Sequence, residues 1–259
     1  MLFLLKIALP PVLVAVVSIA ARLWGPTLGA LLMGLPWLTG PVLFFLALDR
    51  GPAFGVDACT GIEIGVLCIC AYMLAYGITT WVARWPACIA AAGGAFAASA
   101  WATLGLEIAL VPAAGAAAAG LVATYLLLPR PAADALPAPL PWWDIPARML
   151  ATLALVAGIT LSADALGPQL SGVVSTFPAI VTVLGTFTHH QWGRDAVRAM
   201  LRGITLSLLA FVAFFLTVGL ALPALGLAGA YVLAAAVALP VSALLLVFTR
   251  RAGRRARRG

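Results

Sequence analysis

The stretch from Gly167 to His190 is long and apolar enough to cross a bilayer, yet Pro178 sits near its middle and hydroxyl side chains run its length. On a helix, Ser171, Ser175, Pro178, Thr182, Thr186 and His189 fall within roughly 80° of one another and form a single stripe. A helix facing only lipid has no use for such a stripe. Pro178 has no amide hydrogen to give the carbonyl of Val174, and its ring pushes that carbonyl away. In hydrocarbon the freed carbonyl needs a partner inside the protein, in a wet cavity or on a ligand.

The rest of the chain shares this character. Of 259 residues, 64% are hydrophobic and 9% are charged, and the mean hydropathy is +1.13. A soluble domain carries about a quarter charged residues. The expected class is an all-α polytopic membrane protein of about nine transmembrane helices, near 3–22, 27–48, 61–82, 86–104, 107–128, 146–166, 168–189, 200–220 and 226–249. The least distinct cut lies in the Ala-, Gly- and Val-rich run 86–128, marked only by Gly105 and Glu107.

Charge placement orients the spans. Six of the fifteen basic residues, Arg250, Arg251, Arg254, Arg255, Arg257 and Arg258, form a tail. With that tail in the cytoplasm, the inner loops hold Arg194, Arg198 and Arg202, then Arg130 and Arg148, then Arg84, then Arg22. Only Arg50 and Lys6 fall on the wrong side. The tail is a tether to anionic lipids, at about 1 kcal/mol per charge near the leaflet. No folded basic domain accompanies it, so nucleic acid is not an expected partner. The Pro-rich segment 129–145 reads as a cytoplasmic linker, with Trp142 and Trp143 at the membrane interface.

The chain repeats itself. Gly25-Pro26 returns 142 residues later as Gly167-Pro168. The same offset pairs Pro36 with Pro178, Gly51 with Gly193, Gly61 with Gly203 and Gly77 with Gly219, without a gap. Prolines and glycines in register matter because they fix backbone geometry. The second span is thus expected to be a broken helix around Pro36, with Gly40 in the place of Thr182. The organisation expected is a membrane repeat over 1–106, a linker helix and loop over 107–145, a second repeat over 146–249, and the basic tail 250–259. With one span between them, the two four-helix repeats enter the membrane from opposite sides. Proline- and glycine-interrupted segments in the two halves of an inverted repeat point to a transporter binding site near the midplane.

Gly172, Phe177, Pro178 and His189, followed by the Arg-rich loop through Gly203, resemble a motif of the small bacterial inner-membrane GlpM-like proteins. The likeness covers most of the second repeat, so the chain looks like a fused pair of such units. The first repeat departs, with Leu35-Pro36 for Phe-Pro and Ala47 for His189. The resemblance implies a bacterial inner-membrane location and no particular reaction.

These readings make the chain a small secondary transporter of a small polar solute. Pro36, Gly40, Ser171, Ser175, Pro178, Thr182 and Thr186 are the candidate solute-binding residues. Glu63, half a turn inside the third expected span, and His189 are candidates for coupling a proton or cation. Tyr72 and Tyr76 lie deeper on that span, where they serve a polar ligand or bond a neighbouring helix. The threonines and serines have an ordinary alternative in bonding back to their own helix. Cys59, Cys68, Cys70 and Cys88 match no metal or dithiol spacing and read as small buried side chains. No hydrolase, metalloprotease or P-loop motif is present, so neither an enzyme activity nor a cofactor is expected. A non-transporting scaffold subunit of envelope synthesis is the alternative function, and a homo-oligomer is left open.

Overall fold

A computed structural model describes residues 2–24, 36, 39–132, 142–158 and 177–256. These residues form helices joined by turns and short loops, with no strand among them. The helices are α1 (Leu2–Trp24), α2 (Thr39–Arg50), α3 (Pro52–Thr79), α4 (Trp85–Ala102), α5 (Leu110–Leu127), α6 (residues 144–158) and α7 (Ala179–Ala256). Among the described residues, three stretches are long and apolar enough to cross a membrane: Pro52–Thr79, Leu110–Leu127 and Ala179–Val247. That is fewer than the nine spans expected. The second, sixth and seventh expected spans lie partly outside the described residues, the first and fourth are not among the three stretches, and the third stretch is not one rod.

Two glycines divide α7. Gly193 (φ 80, ψ −176) and Gly226 (φ 66, ψ 179) adopt a left-handed φ that breaks the helix. The chain turns back at both. Phe214 and Tyr231 would lie about 25 Å apart along an unbroken helix, yet their ring centroids are 5.6 Å apart. Likewise the Thr188 hydroxyl donates to Met200 Sδ at 3.5 Å across the Gly193 break. We call the three segments α7a (179–192), α7b (194–225) and α7c (227–256).

The α2–α3 junction repeats the first of these breaks. Gly51 has φ 92 and ψ 170, so two glycines 142 residues apart share one backbone conformation. The helix starts match as well. Gly40 N donates to Pro36 O and Thr182 N donates to Pro178 O, each at 2.9 Å. In both places a proline carbonyl accepts a hydrogen bond from the first turn of the helix that follows. The run 86–128 is two helices, separated by a turn in which Gly105 takes φ 76.

Helix α3 is the centre of the bundle and packs against α4, α5 and α7. Its Val66, Tyr72, Met73 and Tyr76 join Phe96 of α4, Leu121 of α5 and Leu201 and Ile204 of α7b in the main core. A second core holds Leu43 of α2, Cys59 of α3, Phe214, Phe215 and Val218 of α7b, and Ala234 and Ala238 of α7c. All four cysteines are buried and unbridged, as their spacing implied.

The third expected span, 61–82, begins too late. Helix α3 starts at Pro52, because proline suits the first turn of a helix and Gly51 supplies the break before it. Asp57, expected in an outer loop, is an exposed residue of that helix.

Candidate functional site

The polar stripe meets α3. Thr182 and Thr186 sit on consecutive turns of α7a, facing Tyr72 and Tyr76, which hold the same spacing on α3. The Thr182 hydroxyl donates to Pro178 O at 2.9 Å and lies 2.8 Å from Tyr72 Oη. A hydroxyl has one proton, so Tyr72 is the donor in that second bond. Thr186 donates to Thr182 O at 2.7 Å. Tyr76 Oη and His189 Nδ1 are hydrogen-bonded at 3.3 Å. Tyr72 and Tyr76 are fully buried. Phe177, just before Pro178, packs edge-on between Tyr72 and Phe96, with ring centroids 5.8 and 5.3 Å away.

The back-bonding alternative therefore holds for Thr182 and Thr186, but it does not exhaust them. Thr182 keeps a lone pair for Tyr72, and the two tyrosines extend the hydroxyl line from mid-helix to His189. Ser171 and Ser175, the other hydroxyls of the stripe, lie outside the described residues.

Pro36 and Gly40 stand elsewhere. Gly40 is buried on α2, and its carbonyl accepts a 2.8 Å hydrogen bond from Tyr231 Oη of α7c. Phe44 packs edge-on against the same tyrosine at 5.2 Å. So α2 leans on α7c, whereas α7a leans on α4 and α3. No described hydrogen bond joins Pro36 or Gly40 to the stripe of α7a.

Glu63 lies three turns into α3, roughly 16 Å from its start. Its side chain is 0% exposed, and neither carboxylate oxygen has a partner among the described residues. The late start expected for this helix would have let the carboxylate reach outer water. The observed helix start removes that option. A buried carboxyl without a partner is costly, and within a membrane-crossing helix it is a mark of function.

Beyond His189 the line runs into a basic region. Arg198 of α7b is 2% exposed; its Nε donates to Thr80 Oγ1 at 2.7 Å and its guanidinium lies 4.2 Å from the Trp81 ring centroid. Arg202 donates to the carbonyls of Tyr125 and Leu128 at 2.7 and 2.8 Å, closing the C-terminus of α5. On α6, Arg148 holds both oxygens of Asp144 at 3.0 Å and donates to Gln191 Oε1 at 2.9 Å. Gln191 in turn donates to Asp144. Reading the arginines as loop charges missed these buried roles. Only the four-residue spacing of Asp144 and Arg148 hinted at one.

An open cleft of about 560 Å³ adjoins this region, lined by Trp81, Arg84, Trp85, His189, His190 and Arg194 among others. Among the described residues no group of three or more His, Cys, Asp or Glu side chains is placed to hold a metal.

No family model, curated protein or solved structure matches the chain.

Proposed function

We propose that the chain is a small secondary transporter of a bacterial inner membrane, with its C-terminus in the cytoplasm. It moves a small polar solute by alternating access. Glu63 carries this reading: a fully buried carboxylate with no described partner, on the same helix as the tyrosines that extend the hydroxyl line. A proton or cation bound there couples to solute movement, with His189 as the second coupling group.

The architecture proposed is nine spans in two inverted repeats around α5. The shared conformation of Gly51 and Gly193 supports it, as do the paired helix starts after Pro36 and Pro178. The fold-back of α7 at two glycines supports the span count. The resemblance of the second repeat to GlpM-like proteins agrees with the location.

The test is reconstitution in proteoliposomes and a screen of amino acids, sugars, polyols and carboxylic acids for solute-evoked currents. At least one solute gives a current in the unaltered protein, and Thr182→Val combined with Ser175→Ala abolishes it. Survival of the current in that double variant removes the stripe from the solute path.

The satisfied hydroxyls of Thr182 and Thr186 favour a second reading, a membrane scaffold whose stripe is a packing surface. Its signature is a stoichiometric partner protein that co-purifies and is lost with Ser175→Leu, together with no solute-evoked current.

A further inference from the structure

The cleft at the end of α3 collects positive charge from three directions. Arg84 precedes α4 and Arg194 opens α7b, and both are solvent-exposed. His189 and His190 lie in the last turn of α7a on the same cleft. Behind its wall, Arg198 bonds Thr80 and stacks on Trp81, both cleft residues, and its buried Nη2 has no partner among the described residues. The acid close by is Asp195, already engaged by Ala132 N at 3.2 Å and Arg198 Nη1 at 3.3 Å. Two helices also begin at this cleft. Helix α4 starts at Trp85 with no side-chain cap from Arg84, and α7b restarts after Gly193. Helix starts present backbone N–H groups and partial positive charge to an anion.

We infer that this cleft binds a phosphate group. A planar carboxylate offers two oxygens in one plane. A tetrahedral phosphate offers oxygens to Arg84, to Arg194 and to the helix starts at once. The location suits either of two sources. Trp81 is 59% exposed and Val82 90% exposed at the end of a helix long enough to cross the membrane, which is where lipid headgroups lie. The cleft is also open enough to admit a soluble phosphate compound. The inference does not rest on the transport reading.

The test uses the full-length protein in neutral detergent, beside Arg84→Gln/Arg194→Gln and Arg84→Lys/Arg194→Lys. Native mass spectrometry measures retention of dioleoyl phosphatidylglycerol against the zwitterionic phosphatidylcholine. Phosphorus NMR measures broadening of inorganic phosphate. The Arg-rich tail is common to all three proteins, so its own lipid binding cancels in the comparison. The glutamine pair is expected to weaken binding by about tenfold, the scale of losing two solvent-exposed ion pairs. The lysine pair retains most of it. Loss confined to phosphatidylglycerol names a lipid headgroup, and loss of phosphate broadening names a soluble phosphate. Equal binding of both probes by the unaltered protein and the glutamine pair overturns the site. So does lysine-pair binding as weak as the glutamine pair's, which would make the effect one of fold.

Discussion

Gly77 and Gly219, 142 residues apart, sit against the two opposite ends of α5. A Cβ at Gly77 would stand 2.4 Å from Leu128 Cδ2, and one at Gly219 would stand 2.4 Å from Leu110 Cδ2. One glycine lies on α3 and the other on α7b, which places the same close approach at the end and the beginning of the helix between them. A two-fold axis through the middle of α5 would exchange these two contacts.

Gly77→Ala and Gly219→Ala should each destabilise the protein by about 1–3 kcal/mol through overpacking. Gly219→Ala is the worse of the two, because its Cβ also meets Cys59 Cβ at 3.2 Å. Gly61 has nothing within 4 Å of a built Cβ, so Gly61→Ala is neutral or slightly stabilising. Apparent Tm values in detergent check the order Gly219, Gly77, Gly61. An unchanged Tm in Gly219→Ala contradicts the close packing.

Tyr72 and Thr182 should show coupled energies. Tyr72→Phe leaves Thr182 still bonded to Pro178 O and costs about 1 kcal/mol. Thr182→Val leaves a buried phenol without its acceptor and costs about 1–3 kcal/mol. The double variant costs less than the two changes added together. A double-mutant cycle on stability measures this, and strict additivity means the pair does not bond in the membrane.

The helical class was legible because so low a charged fraction leaves no alternative. The breaks at Gly51 and Gly193 were legible through the offset, since a left-handed φ restricts a site to glycine. The two-sided partnership of α2 with α7c was not, because Tyr231 and Gly40 are linked by a backbone carbonyl that carries no side-chain signal. The start of α3 was misplaced since Asp49, Arg50 and Asp57 look like one loop, although two of them end α2 and the third faces outward from α3. Arg148 and Arg198 were counted toward orientation and not as interior residues. Sidedness depends on the number of charges, whereas burial depends on partners such as Asp144 and Thr80 that only the fold brings close.

Asp144→Ala removes the carboxylate paired with Arg148, which is 3% exposed and keeps its bond to Gln191. Removing one partner of a buried pair costs about 3–5 kcal/mol. Asp144→Leu with Arg148→Met removes both charges and recovers most of that loss. The comparison is read from apparent Tm. If the single and double variants melt together, the pair contributes no specific stability.

Glu63→Met should raise stability by about 1–3 kcal/mol, since it replaces a buried, unpartnered polar group by an apolar one of similar length. The same change should abolish solute-evoked current. Stability gained with function lost is the pattern of a site kept for its chemistry. A Tm that falls would instead assign Glu63 a structural partner, and Glu63 would leave the coupling site.

The topology itself can be read with one cysteine at Ala53 and another at Ala196, in a background without Cys59, Cys68, Cys70 and Cys88. Both positions lie in the first turn after a glycine of left-handed φ, Gly51 and Gly193, and neither is buried. The four native cysteines are buried, so alanine at those sites leaves small cavities, and the background should be checked for fold before labelling. A membrane-impermeant maleimide applied to intact cells should label position 53 and not position 196; after lysis it should label both. Equivalent glycines would then lie on opposite faces of the membrane, as alternating access by two inverted halves requires. Labelling of both positions in intact cells, or of neither, makes the halves parallel. The pseudo-symmetric contacts at α5 would then need another cause, and the scaffold reading would become the stronger one.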